Sequence, residues 1–329
     1  MVGARSDRGG GAVSVPFVKM HGLGNDYLFI DARQAASLDP FIAAPMVCDR
    51  ERGIGADGIV MYGPPVDPGN DAWMTVVNAD GSDGGVCGNG LRCLAMLLAE
   101  RRGTDHEEIR VETPGGVVRL RLGRSSDGGS VMVEADMGPP RLKLAAIPAV
   151  VPGWTPEGSL IDRAAGELSG FDASSWGLSS DARISLVSMG NPHLVILLRE
   201  GGTRAMLDQR IREIGPGLEG HPWFPERINV HLMAIDSPGR IRLSTWERGS
   251  GPTRACGTGA CAAAVAARLA GAAPAWQEVE LPGGRLDIGW NGSPGDPVRQ
   301  RGPAEEILRG VLDGSVGLEP GTDSGEDGG

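Results

Sequence analysis

Two cysteines stand in matched surroundings. Cys87 opens the run Cys-Gly-Asn-Gly, Cys256 opens Cys-Gly-Thr-Gly, and each run leads into an apolar stretch, residues 90–99 and 259–270. A sulfur just ahead of a first helical turn faces backbone N–H groups that have no intrahelical partner, at the positive end of the helix dipole. There a thiolate is stabilised relative to a free cysteine of pKa about 8.5. The same N–H groups can hold a carboxylate, and the glycines after each cysteine clear its approach. One thiolate and one thiol, opposed across a cleft, suit a particular reaction: one removes a proton from carbon, the other delivers a proton to the opposite face, and the centre inverts. Both groups must lie near the reacting carbon, in a dry site that neutralises the carboxylate. Cys48, Cys93 and Cys261 lack the matched turn and read as inert buried thiols.

The elements that would position this pair recur along the chain. Cys87-Gly-Asn-Gly90 and Cys256-Gly-Thr-Gly259 are offset by 169 residues. Val111-Glu-Thr-Pro-Gly-Gly116 and Val279-Glu-Leu-Pro-Gly-Gly284 are offset by 168, and Gly24-Asn25 after Met20 matches Gly190-Asn191 after Met189 at about 166. Three pairs in one order at nearly one offset mean a duplicated domain, because solenoid repeats are far shorter. Each copy reads as an apolar strand to a Gly-Asn loop (13–20 and 183–189), further strands (73–77 and 240–246), the cysteine turn and its helix, then a strand, a Pro-Gly-Gly hairpin and a return strand (117–122 and 285–290). Apart from Arg92 and Arg268, the two helices have no polar face, so each must be buried all round. The expected fold is α+β: two homologous domains related by a pseudo-twofold axis, each a mixed β roll or barrel around a central apolar helix, with the site in the interdomain cleft. Residues 151–181, rich in Gly, Ser and Pro, have no counterpart in the first copy and are expected as a surface insertion.

The composition bounds the class. The chain has 329 residues, enough for two domains. Gly (53) and Pro (24) are abundant, but a 40% apolar content points to a folded, loop-rich protein. A net charge of −11 with no basic stripe argues against nucleic acid or an anionic membrane surface as a partner. No apolar run reaches the ~20 residues that span a bilayer. Residues 1–13 lack an apolar core and are expected as a disordered leader, not a secretory signal. The stretch 315–329, with Glu319, Asp323, Glu326 and Asp327, is expected as a disordered acidic tail. Five cysteines without a Cys-x-x-Cys pair argue against a zinc site or a thioredoxin-type couple, and fit a cytoplasmic protein with free thiols. No metal cluster or phosphate-cofactor motif stands out, so no cofactor is expected.

From about residue 15 to about 310 the chain resembles the diaminopimelate epimerase family, cofactor-independent amino-acid epimerases. The matching stretches are Lys19-Met-His-Gly-Leu-Gly-Asn-Asp26, Gly53-Ile-Gly-Ala-Asp-Gly58, Asn78-Ala-Asp-Gly-Ser82, Cys87-Gly-Asn-Gly90, Met189-Gly-Asn-Pro-His193, Glu247-Arg-Gly249 and Ala255-Cys-Gly-Thr-Gly-Ala260. The resemblance implies that Cys87 and Cys256 are the acid/base thiols interconverting LL- and meso-diaminopimelate, in lysine and peptidoglycan precursor synthesis. It implies that Gly88, Asn89, Gly257 and Thr258 offer N–H groups to the α-carboxylate. Asn25, Asn78, Asn191, Asn229, Glu247 and Arg248 match positions that bind the amines and the distal carboxylate. His193 and Glu247 match groups that tune the thiols. A homodimer is implied, and so is a last strand returning to the first domain, giving domains of 14–135 plus about 299–314, and 136–298.

Departures from the family pattern are Gly58, where some members carry glutamine; Pro252, where glutamate is usual; and Leu308, near an aromatic dimer contact of some members. His21 is read as structural. Three other readings stay open on the residues: a racemase of another amino acid (a proline racemase fits poorly, since Asn89 stands where those carry histidine), a non-catalytic amino-acid-binding protein, and a redox protein that pairs Cys87 with Cys256.

Overall fold

The structure, a computed structural model, describes residues 14–103, 108–124 and 131–313. The leader and the acidic tail expected from the sequence lie outside the described residues. The first half of the chain runs β1 (Ser14–Gly22), β2 (Asn25–Asp31), α1 (Pro40–Val47), β3 (Gly58–Gly63), β4 (Ala72–Asn78), α2 (Gly88–Arg102), β5 (Glu108–Thr113), β6 (Gly116–Arg124) and β7 (Val131–Asp136). The second half runs β8 (Arg163–Ala164), β9 (Arg183–Ser188), β10 (Pro192–Leu197), α3 (Arg204–Glu219), β11 (Asn229–Ser237), β12 (Arg240–Glu247), β13 (Gly251–Pro252), α4 (Gly257–Leu269), β14 (Trp276–Leu281), β15 (Gly284–Gly289) and β16 (Arg299–Pro303), before β17 (Glu305–Asp313).

The two halves repeat one pairing pattern. In the first, β1–β2 is antiparallel, β2–β3 parallel, β3–β4 antiparallel, β4–β5 parallel, and β5–β6–β7 antiparallel. In the second, β9–β10, β10–β11, β11–β12, β12–β14 and β14–β15–β16 follow the same order of orientations. A parallel pair needs a crossover, and helices supply it at matching points. Helix α1 bridges β2 to β3 as α3 bridges β10 to β11; α2 bridges β4 to β5 as α4 bridges β12 to β14. Antiparallel β7–β16 joins the two halves, and β17 returns to pair with β1. The architecture is α+β in two domains, each sheet curled around its own helix.

Strand alternation sorts side chains between two layers in each half. Tyr27, Phe29 and Val60 point to the cluster of α2, with Leu91 and Leu94; Leu28, Ile30 and Ile59 point to that of α1, with Ala43 and Val47. In the second half Val195 and Met233 join the alanine-rich α4, while Leu194, Ile196 and Leu232 join the cluster of α3. The small side chains of α4 let strands approach closely. Residues 151–181, expected as a surface insertion, instead contribute Val151, Leu160, Ala165, Leu168, Phe171, Ala173 and Leu178 to the α3 core. Their apolar residues are spaced by short 3-10 turns, so no strand or helix period announces the burial.

Candidate active site

The ladders bring one end of several strands to a single rim. Tyr27 pairs with Gly58 and Gly58 with Asn78. In the second half His193 pairs with Asn229, and Val230 with Trp246, which sets Asn229 beside Glu247. The duplication thus equates Asn25 with Asn191, Tyr27 with His193, Gly58 with Asn229, Asn78 with Glu247, and Asn89 with Thr258. Above each rim sits a cysteine at a helix N-cap. Cys87 caps α2 with φ −110° and ψ 111°, and Cys256 caps α4 with φ −109° and ψ 106°. Both open onto one cleft of about 1000 Å³.

Of the residues named from the sequence, Asn25, Asn78, Cys87, Gly88, Asn89, Asn191, Glu247, Cys256, Gly257 and Thr258 line this cleft. Cys87 Sγ accepts from the Gly90 N–H at 3.4 Å and lies 3.4 Å from Tyr27 Oη and 3.8 Å from Asn25 Oδ1. Burial pushes the Cys87 thiol up, opposed by the Tyr27 hydroxyl, the N–H groups of Gly90 and Asn89, and the charge of Arg92. Cys256 is raised well above the ordinary thiol range by burial and by the neighbouring Glu247 carboxylate, while Thr258 Oγ1, 3.6 Å away, and the Gly259 N–H pull it down. Glu247 is itself raised by burial and accepts the hydroxyl of Thr253. Asn25 is braced from below: its amide donates to Asp57 at 2.7 Å, and its carbonyl accepts from Asn89 Nδ2 at 3.0 Å.

Three named residues stand behind the wall. His193 is fully buried and meets the cleft only through Asn191, whose Oδ1 is 2.8 Å from His193 Nε2. Asn191 then donates to Thr258 Oγ1 at 3.3 Å, which ends the chain at Cys256. Asn229 donates to the Pro192 carbonyl at 2.8 Å and accepts from the Arg248 backbone N–H at 2.9 Å, so it holds two site loops together. The Arg248 guanidinium donates to the Glu226 carbonyl at 3.0 Å, away from the cleft.

Other residues join the site without having been named. Tyr27, Asp57 and Arg254 line the cleft, and His231 lies 2.9 Å behind His193. Arg92 is fully buried beneath Cys87 and donates to Gln300 Oε1 at 2.6 Å and Asn89 Oδ1 at 2.5 Å. The available signal for Tyr27 is its place two residues after Asn25, matching His193 two residues after Asn191. Arg92 carries a signal of its own as a cation on an otherwise apolar helix. Cys48, Cys93 and Cys261 are buried, and burial pushes their thiols up to about 11, 12 and 12. Among the described residues no group of three His, Cys, Asp or Glu side chains is placed to hold a metal ion.

Comparisons with known proteins bear on the family and the fold. The family model for diaminopimelate epimerase matches residues 17–143 and 185–306. A diaminopimelate epimerase of Desulforudis audaxviator (strain MP104C) is 43% identical over 296 residues, covering 89% of this chain and 98% of the relative. That of Stutzerimonas stutzeri (strain A1501) is 40% identical over 300 residues, covering 90% and 98%. Among solved structures, a predicted epimerase from Pseudomonas aeruginosa superposes with a TM-score of 0.64 at 19% identity, covering 91% of this chain and 99% of that one. A hydroxyproline epimerase from Agrobacterium vitis gives 0.63 at 16%, covering 93% of each. At such identities the structures speak to the two-repeat fold, while the close relatives along the sequence speak to lineage. On that match over both halves, the chain belongs to the diaminopimelate epimerase family.

Proposed function

We propose that this cleft interconverts LL- and meso-2,6-diaminopimelate by moving one proton at Cα. The observation that carries the reading is that two N-cap thiols, one from each half, open onto the same cavity. One sulfur, as thiolate, takes the Cα proton and becomes a thiol. The other, as thiol, gives its proton to the opposite face and becomes the thiolate, so charge crosses the site and the centre inverts. The N–H groups of Gly88, Asn89, Gly257 and Thr258 receive the α-carboxylate and withdraw the charge that develops as the proton leaves. Glu247 and the amides of Asn25, Asn78 and Asn191 face the ammonium groups. Arg248 suits the distal carboxylate once it swings from the Glu226 carbonyl; Arg254 already stands on the wall. Asn229 and His193 act from behind, through the Arg248 loop and Asn191.

The finer reading includes the assembly, the domain limits and the compartment. We assign 14–135 plus about 299–314 to one domain and 136–298 to the other, a reading supported by the pairing of β17 with β1. A homodimer is supported by β17, which carries the exposed Ile307, Leu308 and Val311. Both thiols must stay reduced to work, which supports a reducing compartment such as the cytoplasm.

Hydrogen exchange tests the function. LL-diaminopimelate is incubated in deuterated water with the protein, Cys87→Ser and Cys256→Ser, and label at Cα and the isomer ratio are followed. The wild type labels and equilibrates the isomers, and either serine variant loses at least about 10²-fold in rate, the scale of one general acid or base. Label entering another amino acid and never diaminopimelate overturns the substrate; Pro252 on the cleft wall makes a panel of other amino acids the appropriate control. Wild-type turnover by either variant overturns the two-thiol mechanism.

A further inference from the structure

The two thiols have unlike neighbours at equivalent places. In the second half, His193 stops short of Cys256 and hands its hydrogen bond to Asn191. In the first half, the equivalent Tyr27 reaches the sulfur itself: the Cys87 thiol donates to Tyr27 Oη at 3.4 Å, a contact the phenol can return as donor once the sulfur is ionised. Tyr27 is 6% exposed, so this hydroxyl has little water to turn to. Its ring lies flush on Gly58: a Cβ there would sit 3.1 Å from Tyr27 Cε1 and 2.3 Å from the Val77 carbonyl. A larger side chain at 58 would therefore push the phenol off the sulfur. Cys256 has a carboxylate nearby instead, Glu247, which opposes a negative sulfur.

We propose that the Tyr27 hydroxyl donates its hydrogen bond to an ionised Cys87 sulfur, making Cys87 the resting thiolate of the pair and Cys256 the resting thiol. The catalytic meaning of this assignment rests on the epimerase reading above. In the forward step Cys87 Sγ takes the Cα proton and Cys256 Sγ gives up its own. The Tyr27 proton stays on oxygen throughout, because burial and then the charge of the Cys87 sulfur hold the phenol well above its ordinary range. When Cys87 becomes protonated it can in turn donate to Asn25 Oδ1, so the sulfur has a partner in either state.

Other charges near Cys87 are arranged so as not to decide the matter alone. Arg92 lies beneath it on α2, buried among neutral acceptors. Asp57, at the entry to β3, is tied to Arg50 at 2.8 Å and to Asn25 at 2.7 Å. Asp80 and Asp83 line the cleft, and Cys93 lies six residues on along α2, with its thiol pushed up to about 12.

Tyr27→Phe keeps the ring on Gly58 and removes only the donor. Iodoacetamide alkylation of Cys87 and Cys256, followed site by site by mass spectrometry across pH, reads the two thiols without any substrate. The expected result is a Cys87 profile moved up by about one pH unit and a Cys256 profile unmoved, the size of one hydrogen bond to a charged group. An unchanged melting temperature checks that the fold is intact. In the exchange assay the variant loses about tenfold in rate near neutral pH and regains it at higher pH. An unmoved Cys87 profile, or equal shifts at both cysteines, overturns the proposal whatever the exchange assay shows. Absence of diaminopimelate exchange in the wild type, with the Cys87 shift present, overturns the substrate reading and leaves the Tyr27 assignment standing.

Discussion

His193 and His231 face each other ring nitrogen to ring nitrogen at 2.9 Å, both fully buried. A proton shared into this pair has nowhere to spread. Burial holds His231 down to about 3, and burial, then the neighbouring His231 and Arg248, hold His193 well below the ordinary imidazole range. Both rings are neutral at neutral pH, and one tautomer closes the line Thr245–His231–His193–Asn191. Unfolding frees both rings to titrate near their ordinary value of about 6.5. Below that pH the unfolded chain binds more protons than the folded one, so stability falls as pH drops from about 6.5 toward the folded values. His231→Gln removes one of these titrations. The plot of melting temperature against pH is expected to be shallower for this variant between about 6.5 and 4.5, above most carboxylate titrations. Parallel plots would mean that the His231 ring does not carry the acid sensitivity of this window; Asp26, which Arg50 and Lys19 hold below its usual range against its burial, loses its contribution only at lower pH.

Helix α4 is placed by what lies under its first turn. A Cβ at Gly259 would come within 2.2 Å of the His231 ring, so this glycine is the seat on which the Cys256 end of the helix rests. Gly259→Ala is expected to lower stability by roughly 1–3 kcal/mol through overpacking, read from denaturant unfolding. His231→Ala in the same chain makes room, so the double variant should lose less than the two single losses added together. Strict additivity would mean that the helix end moves freely over the ring. This contact also shows where the sequence stops being legible. The Cys-Gly-x-Gly turns, the two apolar helices and the strand order can be read because each is written twice, in local residue types. The places of Cys87, Cys256, Asn25 and Asn191 follow from the duplication, and that of Glu247 from the family resemblance. His231, Tyr27 and Arg92 take their meaning from long-range register, from the glycine opposite, and from Gln300 some 208 residues away. The turn of Arg248 toward Glu226 is a matter of rotamer, and the burial of 151–181 depends on α3, which has no pattern shared with that segment.

At the scale of the whole molecule, the sheet runs as one hydrogen-bonded ribbon through the β7–β16 seam, and Leu23 of the first half packs into the α4 core of the second. Behind the cleft, Gln300 on β16 accepts from Arg92 of α2 and lies 3.7 Å from Cys261 of α4, so the two helix starts share one buried anchor. A bond between the two N-cap sulfurs requires the two halves to close about that back. Oxidation reads this closure without substrate. Diamide removes two electrons and accepts two protons as a pair of thiols becomes a disulfide, and a disulfide forms only when the two Cα atoms come within roughly 7 Å. The expected product is a single Cys87–Cys256 bond joining the halves, found by peptide mapping, with Cys48, Cys93 and Cys261 left reduced in their apolar clusters. Activity is lost with its formation and returns with dithiothreitol, because both reacting sulfurs are consumed in the bond. A substrate analogue that fills the cleft between them should slow the reaction in proportion to its occupancy. A Cys87–Cys256 bond that leaves exchange at Cα intact, or cross-linking that spares this pair while reaching the buried cysteines, would mean that the sulfurs do not meet across the substrate carbon.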